Sequence, residues 1–328
     1  MHRRHFIKII TASIWPTLAS AEQSTKVARI GWMSAGSATA NDANLSAFRR
    51  GMNELGYVEE RTFTIEARYA DGKNTVMPEQ AAELERLGVD VIIAGPFAAL
   101  RAAKQGTTRV PIVMTPSADP VITGIVKDLD RPGGNITGIT EMMPELTPER
   151  IRLLHEILPT LTRLAIMWAP GSLSEETFRQ TIAQSQAIAG SIGVHIQVVA
   201  AARAEDFDAA FLTMDKERAE ALTVLVNPMF FSQRKEIIER AAKQRLPAMY
   251  EWKQFVQAGG LISYGADVPD VYRRAAGIVD KILNGANPGD IPVERPQLFN
   301  MGLNLKTAKA LGVTIPDHIR KRAVEIIE

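Results

Sequence analysis

The run VDVIIAGPFAALRAAKQG, residues 89–106, decides how the rest of the chain is read. Val89 to Gly95 is apolar but for Asp90, without the alternation shown by a strand with one wetted face. Unbroken apolar strands belong to parallel sheets, whose two faces are both covered by helices. The helical segment FAALRAAKQG follows at once, so the stretch holds one complete βα unit.

The same unit lies on either side. Upstream are the strand KVARIGWMS (26–34) with the helix NLSAFRRGMNELGY (44–57), and RTFTIEARYA (61–70) with PEQAAELERLG (78–88). In the first of these helices Leu45, Phe48, Met52 and Leu55 share one face. Downstream, VPIVMTPSA (110–118) predicts a strand and PVITGIVKDL (120–129) a helix. Then RPGGNITGIT, residues 131–140, brakes the chain with Pro132, Gly133 and Gly134 before a short strand. The two glycines allow backbone angles that other residues resist, as the entry to a crossing strand requires.

Beyond residue 140 the pattern restarts: helix 148–159, strand 162–170, helix 174–193, strand 194–200, helix 204–219, strand 220–228, helix 232–246, then strands 247–252 and 259–265. Two α/β lobes, each with its own parallel sheet, account for this more simply than one sheet of ten strands. Helix DVYRRAAGIVDKILNG (270–285) is expected to return to the first lobe, and LKTAKALGVTIP (305–316) to end on the second. The expected division is therefore 26–142 plus 263–286 for one lobe and 143–262 plus 287–328 for the other, a hinged pair.

Composition narrows the function. Of 328 residues 46% are hydrophobic, and 38 basic residues balance 37 acidic ones, so no charge excess points to nucleic acid. Cysteine is absent, which removes disulfides, thiolate metal sites and Cys nucleophiles. The opening MHRRHFIK is basic, IITASIWPTLA is apolar yet too short to span a bilayer, and ASA before Glu22 has the small residues of a signal-peptidase site. An export leader cleaved after Ala21 is expected, with Arg3 and Arg4 resembling the twin-arginine type.

In open parallel sheets ligands sit beyond the carboxyl ends of the strands. The loops there carry Ser34, Ser37, Ser117 and Thr140 in the first lobe, and Asn227, Tyr250 and Tyr264 in the second. Helix N-terminal amides in the same loops favour a carboxylate or another anion. Ser, Thr and Asp before a helix also serve as N-caps, with Asp119 and Ser232 the clearest cases, and Trp168 and Phe230 read as packing groups. GWMSAG lacks the spacing of a dinucleotide loop, no Walker, nucleophile-elbow or zincin motif occurs, and the histidines lie far apart. No cofactor, no metal and no catalytic set are expected.

The blocks AFRRGMNELGYVEERTFTIEARYADG, SADPVITGIVKDLDRPGGNITGIT, LTVLVNPMFFSQRKEIIERAAKQRLPAMYEWKQFVQAGGLISYGAD and VDKILNGANPGDIPVERPQLFNMGLNLKTAKALGVTIP resemble the ABC transporter substrate-binding protein family related to TrpX. The resemblance implies a type I periplasmic binding fold of two Rossmann-like lobes joined by three crossings, with a small ligand between them, a membrane permease as partner, and members that bind aromatic amino acids. It carries ligand contact onto Ser34, Gly36 and Ser37, onto Ser117, Asp119, Pro120 and Val121, and onto Asn135, Thr137, Gly138 and Thr140. The chain departs from the family where Gly95, Pro96 and Phe97 replace a Gly-Gly-Thr-Pro type turn, and where Val226, Asn227 and Pro228 replace Pro-Asp-Pro. Glu141 stands where amino-acid binders place an Asp. These departures leave room for an aromatic acid without an amine. The expectation is a monomeric periplasmic receptor of an ABC importer, taking a polar or aromatic carboxylate or an amino-acid-like ligand, and not an enzyme. An exported α/β enzyme, or a sensor that docks on a membrane receptor kinase, are the alternatives.

Overall fold

A computed structural model describes residues 27–95, 97–117, 120–225 and 227–328. The expected leader, Pro96 and Asp119 of the candidate site, and Val226 lie outside the described residues.

The first lobe alternates as read: β1 (Ala28–Ser34), α1 (Ala38–Glu54), β2 (Phe63–Tyr69), α2 (Met77–Arg86), β3 (Val91–Gly95), α3 (Phe97–Gly106), β4 (Ile112–Ser117) and β5 (Ile136–Thr140). The second contains α4 (Met143–Ile157), β6 (Arg163–Trp168), α5 (Glu175–Ser191), β7 (His195–Ala200), α6 (Phe207–Lys216), β8 (Ala221–Val224), α7 (Pro228–Ser232), α8 (Arg234–Lys243), β9 (Ala248–Tyr250), α9 (Lys253–Gln257) and β10 (Ile262–Ala266). After α10 (Val268–Leu283) come β11 (Phe299–Asn304), α11 (Leu305–Leu311), α12 (Asp317–Arg322) and β12 (Glu325–Ile327).

Among the described residues the strands form two sheets, ordered β2-β1-β3-β4-β5 and β12-β11-β10-β9-β8-β6-β7. Read from its β7 edge, the second begins with the same order as the first, β7-β6-β8-β9-β10, and adds β11 antiparallel to β10 and β12 beyond it. Each sheet is covered on both faces, so each lobe has two core layers. Trp32, Phe48, Ile93 and Tyr272 lie in one layer of the first lobe, with Leu84, Ile92 and Leu100 in the other. In the second lobe Ile151, Leu164 and Met301 oppose Phe207, Leu222 and Phe255 across the sheet. Strand β3 is buried throughout, as its unbroken apolar run requires.

Three crossings join the lobes. Strand β5 feeds α4, β10 feeds α10, and α10 returns through residues 284–298 to β11. Helix α10 packs along α1, so close that a Cβ on Gly51 would lie 2.2 Å from the Arg273 carbonyl oxygen. The return segment runs beside β5: Glu294 N–H donates to the Gly138 carbonyl (2.8 Å) and Thr140 N–H to the Glu294 carbonyl (2.9 Å). Gly138 has φ +143°, and a Cβ there would lie 2.3 Å from the Met114 oxygen, so this crossing strand admits glycine alone at its centre. Gly133 (φ +70°) and Gly134 (φ +68°) adopt the left-handed angles expected of the entry turn.

Three expectations change. Residues 120–129 form turns, not a helix: Gly124 takes φ +65°, and Ile125 and Val126 N–H both donate to the Pro120 carbonyl. Residues 263–266 pair with β9 and β11, so within 263–286 the strand lies in the second sheet and α10 alone packs on the first. Strand β11 fills a stretch to which the sequence assigned no element, since Asn300, Gly302 and Asn304 are poor strand formers.

Candidate functional site

Both β5 and β10 enter their crossings from their carboxyl ends, so the carboxyl edges of the two sheets flank the same crossings. The order 2-1-3-4-5 reverses between β1 and β3, and again between β6 and β8, which is where open α/β sheets hold ligands.

On the first edge, Ser34 Oγ accepts from Gly36 N–H (3.1 Å), and Ser37 caps α1 by accepting from Ala40 N–H (3.2 Å). Across the switch point β3 ends at Gly95, where a Cβ would lie 1.6 Å from the Thr115 carbonyl oxygen, so β3 and β4 approach as only glycine allows. Phe97 opens α3, half-buried, with the Arg101 guanidinium 5.9 Å from its ring centre. Thr140 Oγ1 donates to the Ser117 carbonyl (3.2 Å), fixing the ends of β4 and β5 together. Ser117 Oγ and Thr115 Oγ1 are buried without a hydrogen-bond partner in the protein.

The second edge is built from larger groups. Asn227 Oδ1 caps α7, accepting from Met229 N–H (2.8 Å) and Phe230 N–H (3.0 Å), while its buried Nδ2 has no protein partner. Half-buried Phe231 and Trp252 meet edge to face at 5.3 Å, and the Arg234 guanidinium lies 4.8 Å from the Phe231 ring centre. Trp168, at the end of β6, stacks on Phe178 with ring centres 3.6 Å apart. Phe230 is fully buried against Phe207, the packing role read for it.

The structure redirects three of the residues singled out by sequence. Tyr250 points into the core and stacks on Phe255 at 4.6 Å; desolvation pushes its hydroxyl pKa well up, and the pleat sends the next residue, Glu251, the other way. Tyr264 stacks on Phe299, and its hydroxyl meets Arg322 at the end of α12 rather than the first lobe. Ser232 ends α7 and donates to the Met229 carbonyl (2.8 Å); the cap in this loop is Asn227.

Glu141 emerges from β5 at the crossing and is buried beside two groups of the second lobe. Its carboxyl faces Glu251, which follows β9; Arg150 of α4 pairs with Glu251 at 3.1 Å (Nη2 to Oε1) and donates from Nε to the Tyr264 carbonyl (2.7 Å). Burial first, then the Glu251 charge, holds Glu141 well above the ordinary carboxylate range, and Arg150 only partly opposes this. Behind Glu141 stands Tyr272, stacked on Trp32 at 5.1 Å beside Thr115; burial pushes its hydroxyl up to about 12. Sequence reading missed Arg150 and Glu251. The signal was there for Arg150, which sits in the apolar stripe Leu146, Leu153, Ile157 of α4.

Among the described residues no group of His, Asp and Glu has the arrangement of a metal site. No helix there is long and apolar enough to cross a membrane.

Comparison with known proteins agrees with this geometry. The chain belongs to the family of ABC transporter substrate binding proteins, which it matches over residues 32–327. It is similar to a tyrosine-binding protein of Clostridioides difficile strain R20291, 22% identical over 272 residues that cover 83% of this chain and 77% of that one. Among solved structures, an ABC domain of Streptococcus pneumoniae in complex with L-Trp superposes with a TM-score of 0.83 at 23% identity, covering 92% of this chain and all of that one. A conserved domain protein of Vibrio cholerae gives the same TM-score at 24% identity, over 92% of this chain and 100% of its own. A 5-methylthioribose-binding protein of Thermotoga lettingae gives 0.60 at 14% identity, over 92% and 98%. The fold is the type I periplasmic-binding-protein fold, and the family is one of substrate-binding proteins.

Proposed function

We propose that the protein is the exported solute receptor of an ABC importer, that it captures one small ligand between the carboxyl edges of its lobes, and that closure is what the permease recognises. The observation that carries this is the pair of unpartnered polar groups on opposite edges, Ser117 Oγ from the first lobe and Asn227 Nδ2 from the second. Buried polar atoms without partners are rare, and a ligand that bonds both offsets their desolvation.

Ser34, Gly36, Ser37, Gly95, Phe97, Ser117 and Thr140 form the first-lobe wall in this reading, with amides at the start of α1 for a carboxylate. Asn227, Phe231 and Trp252 form the opposite wall, flat and apolar enough for a planar group. An aromatic acid or an aromatic amino-acid-like ligand fits both walls. That tyrosine and L-Trp are the ligands in the names of similar proteins supports this class. The leader sequence supports release into the periplasm after Ala21, where the receptor works as a monomer.

The test is a thermal-shift screen of the purified protein against aromatic amino acids, aromatic acids, dicarboxylates and pentoses. At 100 times its Kd a ligand adds about 2.7 kcal/mol to stability. A shift with the aromatic carboxylates, followed by a complex structure with that ligand between the lobes, is expected. A ligand seated outside the cleft overturns the reading.

A further inference from the structure

We propose that a single proton held between Glu141 and Glu251 is a latch between the crossing strand and the second lobe, and that closing the lobes takes this proton up. The proposal rests on the reading that the lobes open and close, but not on where the ligand sits.

The geometry leaves the pair short of a donor. Arg150 is fully buried, Glu251 is 2% exposed and Glu141 8%, so water reaches none of them freely. Arg150 faces Glu251 Oε1 across 3.1 Å as an ion pair without hydrogen-bond alignment, and spends its Nε on the Tyr264 carbonyl. Glu251 Oε2 is left buried with no donor. Two carboxylates cannot supply one, and both ionised beside one guanidinium would leave a net negative charge in the core. One proton on the Glu141 carboxyl bonds Glu251, leaves a single carboxylate opposite Arg150, and neutralises the cluster.

The remaining surroundings do not replace that proton. From α10 the neutral Tyr272 faces Glu141, beside the Thr115 hydroxyl of β4. From β4 the Ser117 carbonyl accepts the Glu141 N–H (2.7 Å). On the return segment Glu294 is already paired with Arg274. On α4 the other neighbour of Arg150 is the neutral Thr147 hydroxyl (3.4 Å). The second lobe contributes both Glu251 and Arg150, whereas Glu141 belongs to the strand that leaves the first, so the proton bridges two bodies that rotate about this point.

The sign follows from the raised affinity of Glu141 for its proton in this arrangement. Closure is fully favoured below the ordinary glutamate value, near 4.5, and weakens as pH rises through the elevated value of the closed form. Across that window the closure equilibrium falls about tenfold per pH unit, the slope of one proton.

Two measurements on the ligand-free full chain test this. Infrared spectroscopy at neutral pH is expected to show the C=O stretch of a protonated carboxylic acid, lost in Glu141→Gln. Small-angle scattering from acid to mildly alkaline pH is expected to show a compact particle that expands, while Glu141→Gln, whose amide donates to Glu251 at any pH, stays compact throughout. Wild type without the acid band at neutral pH overturns the proposal even if the variant fails to fold. So does an expansion that Glu141→Gln shares. Neither readout uses a ligand, so a ligand found outside the cleft leaves the latch standing, and a failed latch leaves the ligand seat untouched.

Discussion

Strands β1 and β6 hold the same place in the two sheets, yet β1 ends in Ser34 and β6 in Trp168. The next pairs differ in the same way: β3 ends at Gly95, whereas β8 leads to Asn227 and Phe231; β4 ends at Ser117, whereas β9 leads to Glu251 and Trp252. One strand order therefore presents two chemistries. On the first edge small residues let neighbouring strands close up and hold hydroxyls in fixed directions. On the second, aromatic rings lie over a helix start and offer area instead of direction. A rigid polar wall suits the charged end of a ligand, and a flat wall suits a lobe that closes last.

The steepest way to break this comparison is at the point where the edges meet. Arg150→Met leaves Glu251 buried without its counter-charge and is expected to lower stability by about 3–5 kcal/mol in urea unfolding. A loss no larger than that of a surface Arg would mean that no buried ion pair holds the place where the edges meet. Next comes the packing of the first edge: Gly95→Ala drives a Cβ against the Thr115 oxygen and is expected to cost roughly 1–3 kcal/mol. The second-lobe control Gly190→Ala, on a helix with open space around it, is expected to gain about 0.5–1 kcal/mol. Equal effects at the two sites would erase the contrast in closeness.

Binding sharpens it further. Trp252→Ala is expected to weaken ligand binding by about 0.5–1.5 kcal/mol, roughly 2- to 10-fold in Kd by calorimetry, with little change in melting temperature. If Ser117→Ala alone weakens binding, the flat wall is a cover and recognition lies wholly in the first lobe. Smallest are the helix caps: Ser37→Gly and Asn227→Gly are each expected to lower stability by only about a few tenths of a kcal/mol in denaturant unfolding. Of the two, Asn227→Gly should cost more affinity, since it also removes the unpartnered Nδ2.

Much of this was legible because βα repetition is a local signal: apolar runs and helical stripes fixed strands β1 to β10 in order. The failures have local causes too. Residues 120–129 show helix-like spacing, but Gly124 at positive φ turns the chain. Phe299, Met301 and Leu303 do alternate as a strand should, yet the Asn and Gly between them hid it. At the candidate site, loop position was enough to put Ser34, Ser117, Thr140 and Asn227 at the carboxyl ends of the strands, since strand ends are readable. Tyr250 and Tyr264 were misplaced because the direction of a side chain depends on the pleat, which a boundary error of one residue reverses. The pairing of Glu141 with Glu251 joins segments far apart in the chain and has no local signature, and Arg150 showed only as a charge within the apolar stripe of α4.

The way α10 reaches back across the molecule bears on how the chain acquires its shape. Trp32 and Phe48 complete their core layer against Val271, Tyr272, Ala275 and Val279, so the oldest part of the chain waits for a late one. At 5–20 residues per second, residue 272 follows residue 32 by roughly 12 to 48 seconds of synthesis. Most strands and helices of the second sheet, by contrast, lie in one continuous run from α4 to β10. The second lobe is nonetheless finished later still, since Met301, Leu303 and Ile319 complete its core layer, so the lobes mature in the order in which they are begun, the first as α10 emerges and the second with the last helix.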